Sequence, residues 1–315
     1  MAPTSADDGP PSDDGPAADD GPPTDPTPSR RRLLGAAAVV GATGLGGCLG
    51  SFVRVERTET TVEHQFDAAD VSHLRVENAS DDVSVERIDG DAVRVQVHKL
   101  ARGETDLADL EFRSRVDGDT LRLETAEPMV VGIGGGSVDL EVGVPESVSL
   151  DRVGTRDGDV DIRNTAGDTT VETDDGDVSI AGVRGDVSVT TEDGDVTVQD
   201  ADGAVSARTD DGDVTVRDPG AVGDVRTDDG DVTADVPAVD GAATVRTNDG
   251  DVTAALGDSL DATVEITTQD GEVTVTDGLD DVDAVSETRV TGAVGDGTNE
   301  LRIRSDDGDV TVTSL

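Results

Sequence analysis

Tryptophan and tyrosine are absent from the 315 residues, phenylalanine occurs only at Phe52, Phe66 and Phe112, and Lys99 is the sole lysine. The core must therefore be built from valine, leucine, isoleucine and alanine, and a sugar site made of stacked rings has almost no material. Cys48 is the only cysteine, which excludes an internal disulfide. Three histidines, His64, His73 and His98, supply few neutral-pH bases and do not sit at zinc-ligand spacing, which argues against an enzyme. Long apolar runs are missing too: Leu33 to Leu45 spans 13 residues, short of the roughly 20 that cross a bilayer.

Carboxylates are what the chain has in excess. Aspartate and glutamate number 71 against 24 lysines and arginines, a formal charge of −47. Such a surface stays hydrated in concentrated salt, where the Debye length falls to about 3 Å at 1 M, so the composition reads as adaptation to high salt. It excludes nucleic acid and anionic lipid headgroups as direct partners.

Residues 1–28 carry three Asp-Asp-Gly-Pro units, at Asp7–Pro10, Asp13–Pro16 and Asp19–Pro22. With few apolar side chains and many prolines, this acidic tail is expected to be disordered. Residues 29–47 follow with Arg30 and Arg31, an apolar segment, and Leu45-Gly46-Gly47-Cys48. The arginine pair resembles a twin-arginine export signal, and the final four residues resemble a lipobox. The resemblance implies cleavage before Cys48, lipidation of that cysteine and anchoring at the extracellular face of the cell membrane. Stable anchoring needs two acyl signals. Residues 48–65 then read as the lipidated N-terminus and its tether.

The segment 66–315 reads as one all-β repeat domain. From residue 155 a phrase of the form Thr-x-Asp-Gly-Asp-Val recurs, with glycines at Gly158, Gly176, Gly194, Gly212, Gly230, Gly250, Gly271 and Gly308. The first five are 18 residues apart, and a weaker half-repeat at Gly167, Gly185 and Gly203 lies midway. Val178 and Ile180 alternate with Asp177 and Ser179, the period-2 pattern of a half-buried strand, and Asp-Gly supplies the turn. Stacked units of fixed period predict a β-solenoid with coils of about 18 residues, each lying one strand spacing, about 4.8 Å, from the next. An antiparallel meander or sandwich closed by Asp-Gly hairpins fits the same alternation. Residues 66–150 alternate less regularly and are expected to cap the coils.

Leu74-Arg75-Val76, the strand Val138–Val144 with Pro145, the recurring phrase and the closing run Leu301–Val312 together resemble the bacterial and archaeal family of β-strand-repeat domains of unknown function described as candidate adhesins. That resemblance implies a β-solenoid and a surface role, without an established reaction or ligand. Family members usually carry Ser-Gly where this chain has Asp-Gly.

Stacking would place Asp177, Asp195, Asp213, Asp231, Asp251, Glu272 and Asp309 in one outer column, where like charges repel. These acidic turns lack both the EF-hand phrase and the calcium-binding nonapeptide, so no metal site and no cofactor is assigned. The glycine cluster Gly132-Ile133-Gly134-Gly135-Gly136 matches neither a dinucleotide nor a P-loop spacing and reads as a flexible turn. Asn78-Ala79-Ser80 is a candidate N-glycosylation acceptor. The resulting expectation is a non-catalytic, lipid-anchored cell-surface protein that contacts an envelope polymer or surface protein. The alternatives are an envelope accessory or sensing subunit bound to a membrane partner, a calcium-binding repeat protein, and an enzyme acting on acidic polysaccharide.

Overall fold

The computed structural model describes residues 57–79, 81–126 and 134–315. The chain divides into two units, Met1–Phe52 and Val53–Leu315, and every described residue belongs to the second. The tail, Arg30, Arg31 and Cys48 lie outside the described residues.

Short strands alternate with Asp-Gly turns throughout. β1 (Arg57–Asp67), β2 (His73–Glu77), β3 (Val83–Arg87), β4 (Ala92–Gly103), β5 (Phe112–Asp117), β6 (Thr120–Thr125) and β7 (Gly134–Val144) form the first part. The regular repeats contain β8 (Ser149–Gly154), β9 (Val160–Arg163), β10 (Thr169–Glu172), β11 (Val178–Ala181), β12 (Val187–Thr190), β13 (Val196–Arg208) and β14 (Val214–Arg226). After them come β15 (Val232–Val236), β16 (Ala242–Arg246), β17 (Val252–Leu256), β18 (Ala262–Thr267), β19 (Val273–Val275), β20 (Asp281–Val285), β21 (Arg289–Val294), β22 (Asn299–Arg304) and β23 (Val310–Ser314).

Pairing within the repeats is parallel and in register. Val160, Val178, Val196, Val214, Val232, Val252 and Val310 follow one another down the first sheet. This register is that of a solenoid, and it rules out the meander, whose neighbours would be antiparallel. Sheet A runs β1-β4-β7-β3-β9-β11-β13-β14-β15-β17-β23-β19. Sheet B runs β5-β6-β2-β8-β10-β12-β13-β14-β16-β22-β18-β21-β20, with β13 and β14 long enough to serve both. Alternate side chains of both sheets meet in one aliphatic core, with Val76, Val85, Val196, Val214, Val252 and Ile303 fully buried.

The stacking order departs from chain order at both ends. The β2–β3 coil lies between the coil of β6 and β7 and that of β8 and β9. In mirror fashion, the β22–β23 coil lies between the coil of β16 and β17 and that of β18 and β19. The outermost coils thus come from internal segments, and the sequentially first and last coils are slipped beneath them. Beyond them only antiparallel strands follow: β4 and β1, β5, and β21 and β20.

Capping therefore falls to β1, β4, β5, β6 and β7 at one end, whereas β2 and β3 are regular members of the stack. Residues 57–65, read from sequence as tether, form most of β1. Their polarity hid the strand because β1 is exposed along most of its length. Gly134, Gly135 and Gly136 likewise belong to β7, paired with Gly103, Arg102 and Ala101, and are not a turn. A Cβ on Gly136 would lie 2.7 Å from the Leu110 side chain, so close packing selects glycine there.

Candidate functional site

Each Thr-x-Asp-Gly-Asp turn stacks on the next, and each of its positions becomes a column. Thr173, Thr191, Thr209, Thr227, Thr247, Ser305 and Thr268 point inward and are buried. Their hydroxyls donate to backbone carbonyls of the neighbouring turn, as from Thr247 to Gly230 and from Ser305 to Gly250, both at 2.8 Å. A buried hydroxyl needs such a partner, and valine could not supply the link.

The glycines approach more closely than side chains allow. A Cβ on Gly194, Gly212 or Gly230 would lie 2.3 Å from the carbonyl oxygen of the glycine one coil earlier. Gly176, Gly194, Gly212, Gly230, Gly250 and Gly308 also hold φ between 137° and 154°. Gly158 and Gly271 lack that φ and are selected by approach alone, 2.3 Å from the Asp81 oxygen and 2.1 Å from the Gly308 oxygen.

The aspartate column is a hydrogen-bond ladder as well as a row of charges. The Asp177 N–H donates to Asp159 Oδ1 at 3.0 Å, Asp195 to Asp177 at 2.9 Å, Asp213 to Asp195 at 2.9 Å, Asp231 to Asp213 at 2.8 Å and Asp251 to Asp231 at 2.8 Å. It begins two coils earlier than the sequence indicated, at Asp82 and then Asp159, and ends in a different order. The Asp309 N–H donates to Asp251 and the Glu272 N–H to Asp309, so Asp309 precedes Glu272. One carboxylate oxygen per coil is thereby engaged. Among the described residues, no three of histidine, cysteine, aspartate and glutamate converge on a point that would hold an ion.

Asn78 is 6% exposed. Its Nδ2 donates to the Asp81 and Val138 carbonyls at 2.8 and 2.9 Å, and its Oδ1 accepts from the Thr125 hydroxyl. A glycan needs that nitrogen free, so the folded chain offers no acceptor here. The triplet marked the turn correctly but could not show that β7 covers it. Beside it, burial raises the Asp81 carboxyl above its usual range, against the N–H of Val138 at 2.7 Å.

The histidines do not assemble. His73 on β2 bonds Asp151 at 2.9 Å, a contact that raises its proton affinity. His98 on β4 contacts Thr61 on β1 at 2.9 Å and lies 3.7 Å from Glu141 on β7. His64 packs on the ring of Phe112, 4.9 Å between centroids, in the cap. Elsewhere, Glu146 bridges Arg87 and Arg184 at 2.7 and 2.8 Å, which holds its carboxyl low, the Arg184 bond first.

Two outward rows escaped the sequence reading because they appear only once the register is known. On sheet A, Ser179, Thr197, Thr215, Thr233, Thr253, Thr311 and Thr274 stack as an uninterrupted line of hydroxyl residues. Along the next row of that face, Ala181, Gln199, Arg217, Asp235, Ala255 and Thr313 bring one charge of each sign, in a chain that is 30% charged. On sheet B, Arg208, Arg226, Arg246 and Arg304 stack in register beside the acidic turn. Arg208 pairs with Asp210 at 2.5 Å and Arg304 with Asp306 at 2.6 Å.

This parallel stack is accompanied by a family match: the model of the Toastrack DUF4097 domain covers residues 71–313. The chain belongs to the Toastrack DUF4097 family. No curated protein matches it. Among solved structures, a candidate adhesin of Bacteroides fragilis is similar at 13% identity, over 80% of this chain and 97% of that one, with a TM-score of 0.47. A candidate adhesin of Parabacteroides distasonis is similar at 11% identity over 80% and 97%, with a TM-score of 0.37. A candidate cell adhesion protein of Clostridium sporogenes matches at 10% identity over 82% and 100%, with a TM-score of 0.27. The Toastrack domain here is all-β and solenoid-like, and no described helix is long and apolar enough to cross a membrane.

Proposed function

We propose that this Toastrack protein is a non-catalytic, lipid-anchored contact protein of the outer cell surface in a halophilic archaeon. Its flat hydroxyl row on sheet A would meet an extended, uncharged envelope polymer or surface protein. The observation that carries this reading is the scarcity of charge on that face from β11 to β19, a stretch that begins just past Asp161 and Arg163 on β9. Carboxylates crowd the turn edge next to it, so a partner docking on sheet A need not displace tightly hydrated charges. A row repeated at about 4.8 Å suits a partner that is itself extended. The Arg30–Arg31 pair and the Leu45–Cys48 motif support export and anchoring.

Thr215→Glu together with Thr233→Glu should abolish surface attachment or cell aggregation while leaving melting at native salinity nearly unchanged, because both side chains face outward. Cys48→Ala should release the protein into the medium. Attachment that survives the glutamate pair would refute the contact face. Continued membrane retention of the Cys48 variant would refute the lipid anchor.

A further inference from the structure

The ends of the solenoid are stepped in complementary ways. At the first end, sheet A projects one strand further than sheet B, because β1 lies beyond the level of β5. At the other end, sheet B projects two strands beyond sheet A, because β21 and β20 follow β18 while sheet A stops at β19. Among the described residues, both terminal strands of sheet B, β5 and β20, bond a neighbour on one side only. An unpaired strand edge is a template for another strand. Sheet A differs, since the free side of β19 is already engaged where the Val273 N–H meets the Glu287 carbonyl at 2.8 Å.

Three of the five exposed large apolar side chains among the described residues lie on the same two strands, the other two being Val62 on β1 and Leu315. Val116 on β5 lies opposite Leu121, on the core face, and is 44% exposed. Val282 and Val285 on β20 lie opposite Gly292 and Val290, also on the core face, and are 51% and 74% exposed. Among the described residues, the core is therefore left open at each end along sheet B. The strand edges also carry opposite charges: Arg113 and Arg115 on β5, Asp281 and Asp283 on β20. The arginines have partners at Glu111, at Asp117 on β5 itself and at Glu124 on β6, but these exposed pairs are weak and exchangeable.

We infer that the partner of these ends is a second copy of this chain, joined head to tail with β20 of one copy beside β5 of the next. Relative to the parallel coils, β20 runs with them and β5 against them, so the new pair is antiparallel. The joint buries Val116 against Val282 and Val285. It leaves one strand position open in sheet A, between β19 and the next β1, and that position is where the Glu287 segment already lies. The contact is heterologous and does not close on itself, so it produces a filament. Sheet B contributes thirteen strands per copy, which at about 4.8 Å each gives an axial repeat of about 62 Å.

The full chain at molar sodium chloride should elongate with concentration in sedimentation velocity and show rods of that repeat by electron microscopy. Val116→Lys and Val285→Lys should each stay monomeric with near wild-type melting, since both valines are exposed. Mixed together, the two variants should stop at dimers, because each retains one intact end. The inference is overturned if the wild-type chain stays monomeric at every concentration, if it forms dimers that persist in both variants, or if the mixture remains monomeric.

Discussion

At the scale of single residues, the turn phrase answers three separate demands. Threonine fills a buried slot and donates across coils, glycine permits carbonyl contact, and aspartate accepts the next N–H. The glycine demand separates turns that look alike in sequence. Gly212→Ala forces a Cβ to 2.3 Å from the Gly194 oxygen at φ +137°, with no flexible side chain to yield. Gly118, in the turn between β5 and β6, also has positive φ, +66°, but a Cβ there meets nothing within 4 Å. Gly212→Ala should therefore cost about 3 kcal/mol or more and Gly118→Ala about 1 to 2 kcal/mol, read from thermal melts at molar salt. Equal losses would mean that φ alone, and not stacking, selects the ladder glycines. The phrase was legible because every coil repeats it, whereas Asn78 was not, because its role depends on Val138, 60 residues away.

At the scale of elements, the two inserted coils are fastened by groups of opposite pH sense. At the C-terminal insertion, Asp306 accepts from Gln269 at 2.6 Å and Asp261 accepts the Thr298 N–H at 3.0 Å, and both carboxyls are held below their usual range. Their contribution is complete above the ordinary carboxylate pKa and is lost as pH falls through the lowered folded values. At the N-terminal insertion, the raised His73 contributes fully below its ordinary value of 6.5 and loses that contribution as pH climbs through the folded value. Hydrogen exchange should show β22 loosening first as pH falls below the ordinary carboxylate range and β2 loosening first as pH rises above 6.5. Simultaneous loss of protection at both ends would refute this assignment. The strands themselves could be read from alternation, as with Val178 and Ile180, but their order could not. Asp309 lies 37 residues beyond Glu272 in sequence yet one strand nearer the middle, because insertion is a long-range choice that leaves the local pattern unchanged.

At the scale of the whole molecule, the turn edge gathers carboxylates at strand spacing, and the ladder bonds offset only part of their repulsion. Between about 0.01 M and about 1 M salt the Debye length shrinks from about 30 to about 3 Å, so the melting temperature should climb steadily with sodium chloride. A flat profile would mean that the N–H ladder alone neutralises the edge. Mechanical load raises a different question. A tug on the N-terminal side of the described chain peels β1 and then meets β2, a winding clamped from above and below; a tug on the far side meets β23 in the same position. Like a rope whose loose ends are tucked under its own turns, the stack cannot be unwound one coil at a time from either terminus, which would suit the contact role proposed above.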